Sequence, residues 1–209
     1  MNTLPVRLNR IKDGYTDGAR SLASRAVGVL VDSVVTPNQL TALGFAMNVA
    51  AAILVYREAW FAAGIVFLVG SLVDILDGAL ARSRGQATPF GAFIDSTTDR
   101  ISEGFMLGAI ALVLAGDGVE WGIAAVFAAL IGSFLTSYTR ARAEALGLDG
   151  KAGMAGRAER VIILGAVLLA APWGALPWGM VLLATISAVT VAQRIMSVRK
   201  QLVAPRSAI

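Results

Sequence analysis

The sequence predicts an all-α membrane protein: an amphipathic juxtamembrane helix over residues 17–32, then six transmembrane helices bundled over 33–200, in a single domain 1–209. Three observations predict it. Hydrophobic residues make up 56% of the chain and charged residues 15%, with a mean hydropathy of +0.70. A soluble domain carries about 25% charge, so this chain has too little polar surface to be solvated by water. Its apolar runs approach the ~20 residues a helix needs to cross a bilayer. Finally, six spans with both ends on one side put 17 of the 18 Lys and Arg on that side, Arg57 being the exception. The positive-inside rule makes that side cytoplasmic, with both termini in the cytoplasm and the bundle in the cell membrane.

The elements follow in order. Over 17–32, Arg20 and Arg25 alternate at helical spacing with Leu22, Ala26, Val29 and Leu30, the pattern of a helix lying on a membrane surface. A frayed polar tail is the alternative. Residues 33–56 are uncharged and contain the first span. Residues 59–73 are apolar but number only 15, so the second span must continue through Asp74, Asp77 and Ala81. Likewise 104–116 needs the preceding turns from Phe90, which carry Asp95 and Asp99. Residues 121–139 form the fourth span. The run 161–193 is too long for one helix, and Pro172, Gly174 and Pro177 divide it into the last two.

Composition excludes much chemistry. There is no Cys and no His, so disulfides, thiolate nucleophiles, His-based zinc sites and imidazole bases are ruled out. Carboxylates, hydroxyls, Arg, Lys and bound metal remain. The formal charge of +4 suits anionic headgroups and phosphorylated substrates; no basic–aromatic interleaving points to nucleic acid.

The segment 73–100, VDILDGALARSRGQATPFGAFIDSTTDR, carries the signal. At about 100° per residue, Asp74, Asp77, Gly78 and Ala81 share one arc of a helix, and Gly91, Asp95, Asp99 and Ser102 share one arc of the next. Two antiparallel helices would then aim two carboxylate pairs at each other. At membrane depth these would repel unless protonated or bridged by cations. Oxygen-only ligands favour Mg²⁺ or Mn²⁺, and a pair of such ions is a known clamp for phosphoryl transfer. An ion path in a cation transporter is the reading from another class.

Asp74, Asp77, Gly78, Ala81, Arg82, Gly91, Asp95 and Asp99 spell DxxDGxxAR, eight residues, then GxxxDxxxD. This resembles the signature of the CDP-alcohol phosphotransferase family, with no position missing. The resemblance implies an enzyme that transfers the phosphate-bearing lipid of a CDP-lipid to an alcohol and releases CMP, working as a homodimer. By it, Asp74, Asp77, Asp95 and Asp99 are metal ligands and Asp99 is also the general base. Gly78, Ala81, Arg82 and Thr88 are similar to positions that hold the CDP moiety. Residues 37–41 resemble the family's TPNxLT segment, which makes Asn38, Gln39, Leu40 and Thr41 neighbours of the nucleotide; taken alone, Thr36 to Asn38 would be a helix cap.

A basic cluster concerns the acceptor. Arg140 and Arg142 end the fourth helix, Arg157 and Arg160 begin the fifth, and Arg194 ends the sixth. They are either membrane anchors or a pocket for a phosphorylated polyol. YTRARAE with RAER resembles the phosphatidylinositol phosphate synthases and their archaeal counterparts. That implies inositol 1-phosphate as acceptor, with glycerol 3-phosphate as the alternative.

Overall fold

The computed structural model describes residues 33–203 together with Gly28. Apart from that glycine, the amphipathic helix expected over 17–32 lies outside the described residues. Within them run six α-helices: α1 (Pro37–Tyr56), α2 (Trp60–Ser83), α3 (Pro89–Gly116), α4 (Glu120–Ala145), α5 (Arg157–Leu169) and α6 (Leu176–Val203). A 3₁₀ turn, Ala171–Trp173, joins the last two, and no strand occurs among the described residues. The break falls where Pro172 and Gly174 placed it; Gly174 has φ +76°, which glycine adopts without strain.

Four helices, α1, α2, α4 and α6, are long and apolar enough to cross a membrane. The other two fall short for different reasons. Asp95, Asp99, Arg100 and Glu103 load the first half of α3 with charge. With 13 residues, α5 is about 20 Å long, less than a hydrocarbon core of about 30 Å.

Local chemistry fixes where the site-bearing helices start. Thr36 caps α1: its Oγ1 accepts from Gln39 N at 3.3 Å, and Gln39 Oε1 accepts from Thr36 N at 2.9 Å. This reciprocal capping box, with Pro37 in the first turn, fixes the entry to the helix. Thr88 repeats the device for α3, accepting from Gly91 N at 3.0 Å ahead of Pro89.

The helices neighbour one another in a closed ring, α1–α2–α5–α6–α4–α3 and back to α1. Leu107, Ile110 and Leu114 of α3, Leu168 of α5 and Met180 and Leu183 of α6 are buried in its core. Large apolar residues such as Ile65, Phe127, Ile131 and Leu182 point outward, as lipid contact would require. Small residues set the closest crossing. A Cβ on Gly70 would lie 2.8 Å from Met47 Cβ, and one on Gly44 would lie 3.2 Å from Asp74 Cβ. Close backbone approach at glycine is the usual basis of helix association in lipid. Here it brings α1 against Asp74.

The connection between α4 and α5 is fastened to α6. Gln201 accepts from Asp149 N and donates to Asp149 O, both at 2.9 Å. Arg194 Nε donates to Ala152 O at 3.1 Å, Gln193 Oε1 accepts from Met154 N at 2.9 Å, and Thr190 Oγ1 accepts from Ala155 N at 3.1 Å.

Candidate active site

Helices α2 and α3 bring Asp74, Asp95 and Asp99 together, with one carboxylate oxygen from each inside a 4.8 Å span. Asp74 and Asp99 are buried and Asp95 is partly exposed. Asp77 stands one turn further along α2. It is buried, and it accepts a hydrogen bond from Thr41 Oγ1 of α1. The three-carboxylate group therefore holds three of the four expected ligands, and the fourth is tied to α1.

Arg157 reaches this group from the first turn of α5. Its Nη1 lies 2.5 Å from Asp74 Oδ2 and its Nη2 2.5 Å from Asp99 Oδ1. Arg100 Nη1 adds a 3.2 Å contact to Asp99 Oδ2. Clustered carboxylates at low dielectric require such compensation. Even so, Asp99 Oδ1 is buried and has no hydrogen-bond partner: the guanidinium is close but poorly aligned. An all-oxygen cluster with an unused lone pair fits a hard divalent cation.

A cavity of about 450 Å³ opens beside the carboxylates. Asp77 and Asp95 line it, as do Asn38, Thr41, Gly78, Ala81, Arg82 and Thr88 of the expected CDP-lipid positions; Phe45, Phe90 and Ile94 supply apolar wall. Two expected positions do not reach it. Gln39 is held in the capping box, and Leu40 is buried in the helix packing. Both shape the cavity wall by fixing the start of α1.

The expected acceptor arginines do not share one pocket. Arg140 pairs with Glu144 at 2.9 Å on the exposed end of α4, and Arg142 is exposed. Arg194 is buried and bonded to the main-chain carbonyls of Thr136 and Ala152. Arg157 lies among the carboxylates, because the first turn of α5 points its long side chain across to α2 and α3. Arg160, one turn further, is buried against Glu103, its Nε 3.3 Å from Glu103 Oε1. Glu103 was not among the expected site residues. The sequence does carry a signal for it: Asp95, Asp99 and Glu103 continue one i, i+4 row on α3.

Residues 34–204 match the CDP-alcohol phosphatidyltransferase family. The archaetidylinositol phosphate synthase of Pyrococcus horikoshii is 42% identical over 169 residues, which cover 80% of this chain and 86% of that one. The crystal structure of Mycobacterium tuberculosis phosphatidylinositol phosphate synthase with CDP-DAG bound aligns with a TM-score of 0.77 at 34% identity, covering 90% of this chain and 100% of that chain. A crystal structure of the M. tuberculosis enzyme in complex with manganese and citrate aligns with a TM-score of 0.74 at 36% identity, covering 85% and 88%. That manganese complex and the carboxylate cluster agree on a divalent metal. The chain belongs to the CDP-alcohol phosphatidyltransferase family and is a transferase of that kind.

Proposed function

We propose that the protein transfers a phosphatidyl-type group from a CDP-lipid, CDP-diacylglycerol or CDP-archaeol, to inositol 1-phosphate, releasing CMP. The observation that carries this reading is the convergence of three carboxylates at the edge of a 450 Å³ cavity, in a chain 42% identical to an archaetidylinositol phosphate synthase.

The roles combine the family resemblance with the position of each residue. Asp99, buried and flanked by Arg100 and Arg157, takes the proton of the attacking hydroxyl as general base. The acceptor oxygen attacks the lipid-side phosphorus, the bond from that phosphorus to the bridging oxygen breaks, and CMP leaves. Arg82 pairs with the pyrophosphate, and Gly78 leaves room for its approach. Asn38, Thr41 and Thr88 border the nucleotide. When bound, two Mg²⁺ ions (or Mn²⁺) held by Asp74, Asp77, Asp95 and Asp99 would supply charge neutralisation. The family resemblance assigns Arg142, Arg160 and Arg194, with Arg140 beside them, to the acceptor's phosphate; of these Arg160 shares a small cavity with Asp99 and Arg157.

The test is purified protein with CDP-diacylglycerol or CDP-archaeol, Mn²⁺ and a panel of radiolabelled alcohols. Inositol 1-phosphate is expected to give the dominant lipid product with stoichiometric CMP. Preference for glycerol 3-phosphate would remove the inositol assignment, and absence of CMP with every acceptor would remove the transferase reading.

The same reading makes the chain one domain of six membrane crossings, α5 completing its crossing through the 3₁₀ turn that follows it, working as a homodimer, with its site and termini on the cytoplasmic face of the cell membrane. Topology is testable because the chain has no native Cys. Ser83→Cys and Lys151→Cys, both at exposed positions, should react with an impermeant maleimide only from the cytoplasmic side. Asp117→Cys and Trp173→Cys should react only from the other side. Labelling of Ser83→Cys in intact cells would reverse the orientation.

A further inference from the structure

Behind the carboxylates lies a second cavity of about 20 Å³, lined by Asp99 and Glu103 of α3 and by Arg157 and Arg160 of α5. Its geometry is a matched ladder. Two acids four residues apart on one helix meet two arginines three residues apart on another, Asp99 with Arg157 at 2.5 Å and Glu103 with Arg160 at 3.3 Å. These helices are not neighbours in the ring, so long side chains make the link. Both arginines and both acids line the same small cavity, so the partner each arginine takes is a choice between two carboxylates one turn apart.

Glu103 is held from a second direction. Ser133 Oγ of α4 donates to the same Oε1 that receives Arg160 Nε, and Ser133 is fully buried. A buried guanidinium needs a counter-charge, but that alone does not explain which carboxylate supplies it, nor why the contact is through Nε. An Nε contact leaves the planar pair of terminal nitrogens, the half of the guanidinium suited to bidentate phosphate binding.

We propose that Glu103 is a positioning residue for the acceptor: braced by Ser133, it holds Arg160 by its Nε and keeps that guanidinium off Asp99, leaving its terminal nitrogens for the acceptor's phosphate. Glu103 touches no substrate. It acts through Arg160, and the inference rests on the reading that Arg160 meets the acceptor. Without the Glu103 charge, Arg160 is drawn one turn along α3 to Asp99, which removes a phosphate ligand and crowds the base at once.

The test is steady-state kinetics of Glu103→Gln, Glu103→Asp and Ser133→Ala, varying each substrate in turn, with detergent melting curves alongside. Glu103→Gln should raise KM for the phosphorylated acceptor by about tenfold or more, with KM for the CDP-lipid unchanged within about twofold. Glu103→Asp, which keeps the charge, should restore most of the acceptor KM; Ser133→Ala should raise it by a smaller factor in a protein that still folds. Arg160→Ala is the control. Should it raise acceptor KM while Glu103→Gln and Ser133→Ala do not, Glu103 has no positioning role and the acceptor reading stands. Should Arg160→Ala leave acceptor KM alone, the acceptor reading itself falls. A lowered melting temperature in Glu103→Gln with both KM values intact would make the contact purely structural and overturn the proposal.

Discussion

Asp99→Asn is expected to lower kcat by about three orders of magnitude, within the 10²–10⁴ range associated with a positioned base, while KM for the CDP-lipid changes little. Asn has nearly the volume of Asp, so packing is kept. Arg157 retains Asp74 at 2.5 Å, so its partly buried guanidinium is not left without a partner, and the variant should fold. What is lost is the proton acceptor and one negative charge from a cluster only 4.8 Å across. Asp74→Asn, Asp77→Asn and Asp95→Asn should also lose orders of magnitude, for want of metal alone, so raising Mn²⁺ should recover more of their turnover than of that of Asp99→Asn, which lacks the base as well as a ligand. Asp77→Asn additionally disturbs the contact with Thr41 and should raise CDP-lipid KM. Wild-type turnover in any of the four would defeat the carboxylate mechanism.

Removing the acceptor's phosphate should cost nearly as much. Two charge-assisted hydrogen bonds from an arginine fork are worth about 1.5–3 kcal/mol each. At about 1.4 kcal/mol per tenfold, free inositol should have a kcat/KM roughly 10²–10⁴ below that of inositol 1-phosphate. Arg160→Ala should erase most of that preference by slowing the phosphorylated acceptor. Arg194→Ala should differ in kind, because it frees the carbonyls of Thr136 and Ala152; it should lower the melting temperature as well as acceptor use. Comparable turnover of inositol and inositol 1-phosphate by the wild type would leave Arg160 and Arg194 with a purely structural role.

The parts legible in the sequence are those that local spacing controls. Helical arcs put Asp74 and Asp77 on one face and Asp95 and Asp99 on another, and the fold brings Asp74, Asp95 and Asp99 together, with Gly44 and Gly70 letting α1 close against α2 beside Asp74. The Pro172–Gly174 break and the caps at Thr36 and Thr88 are equally local. Side-chain reach across the ring was not legible. Arg157 and Arg160 sit three residues apart, yet one enters the metal-ligand cluster and the other pairs with Glu103, a choice made by the positions of α2, α3 and α5 relative to one another. Arg194 likewise reads as one more basic helix end, and only the path of the loop beside it turns its nitrogens to main-chain carbonyls.

That loop has a consequence for how the chain can diverge. From Asp149 to Ala155, α6 grips main-chain nitrogens and oxygens and not side chains. The sequence of the segment is thus largely unread by the fold. Three positions are exceptions: a Cβ at Gly150 would lie 2.8 Å from Arg140 O, one at Gly153, with φ +126°, would lie 2.5 Å from Thr190 Cγ2, and the methyl of Ala155 is buried. Elsewhere the loop can change letter by letter while the arginines that begin α5 stay in register, so its spelling carries little information about the acceptor. Change that moves the loop itself enters through α6, where Gln193, Arg194 and Gln201 hold its backbone.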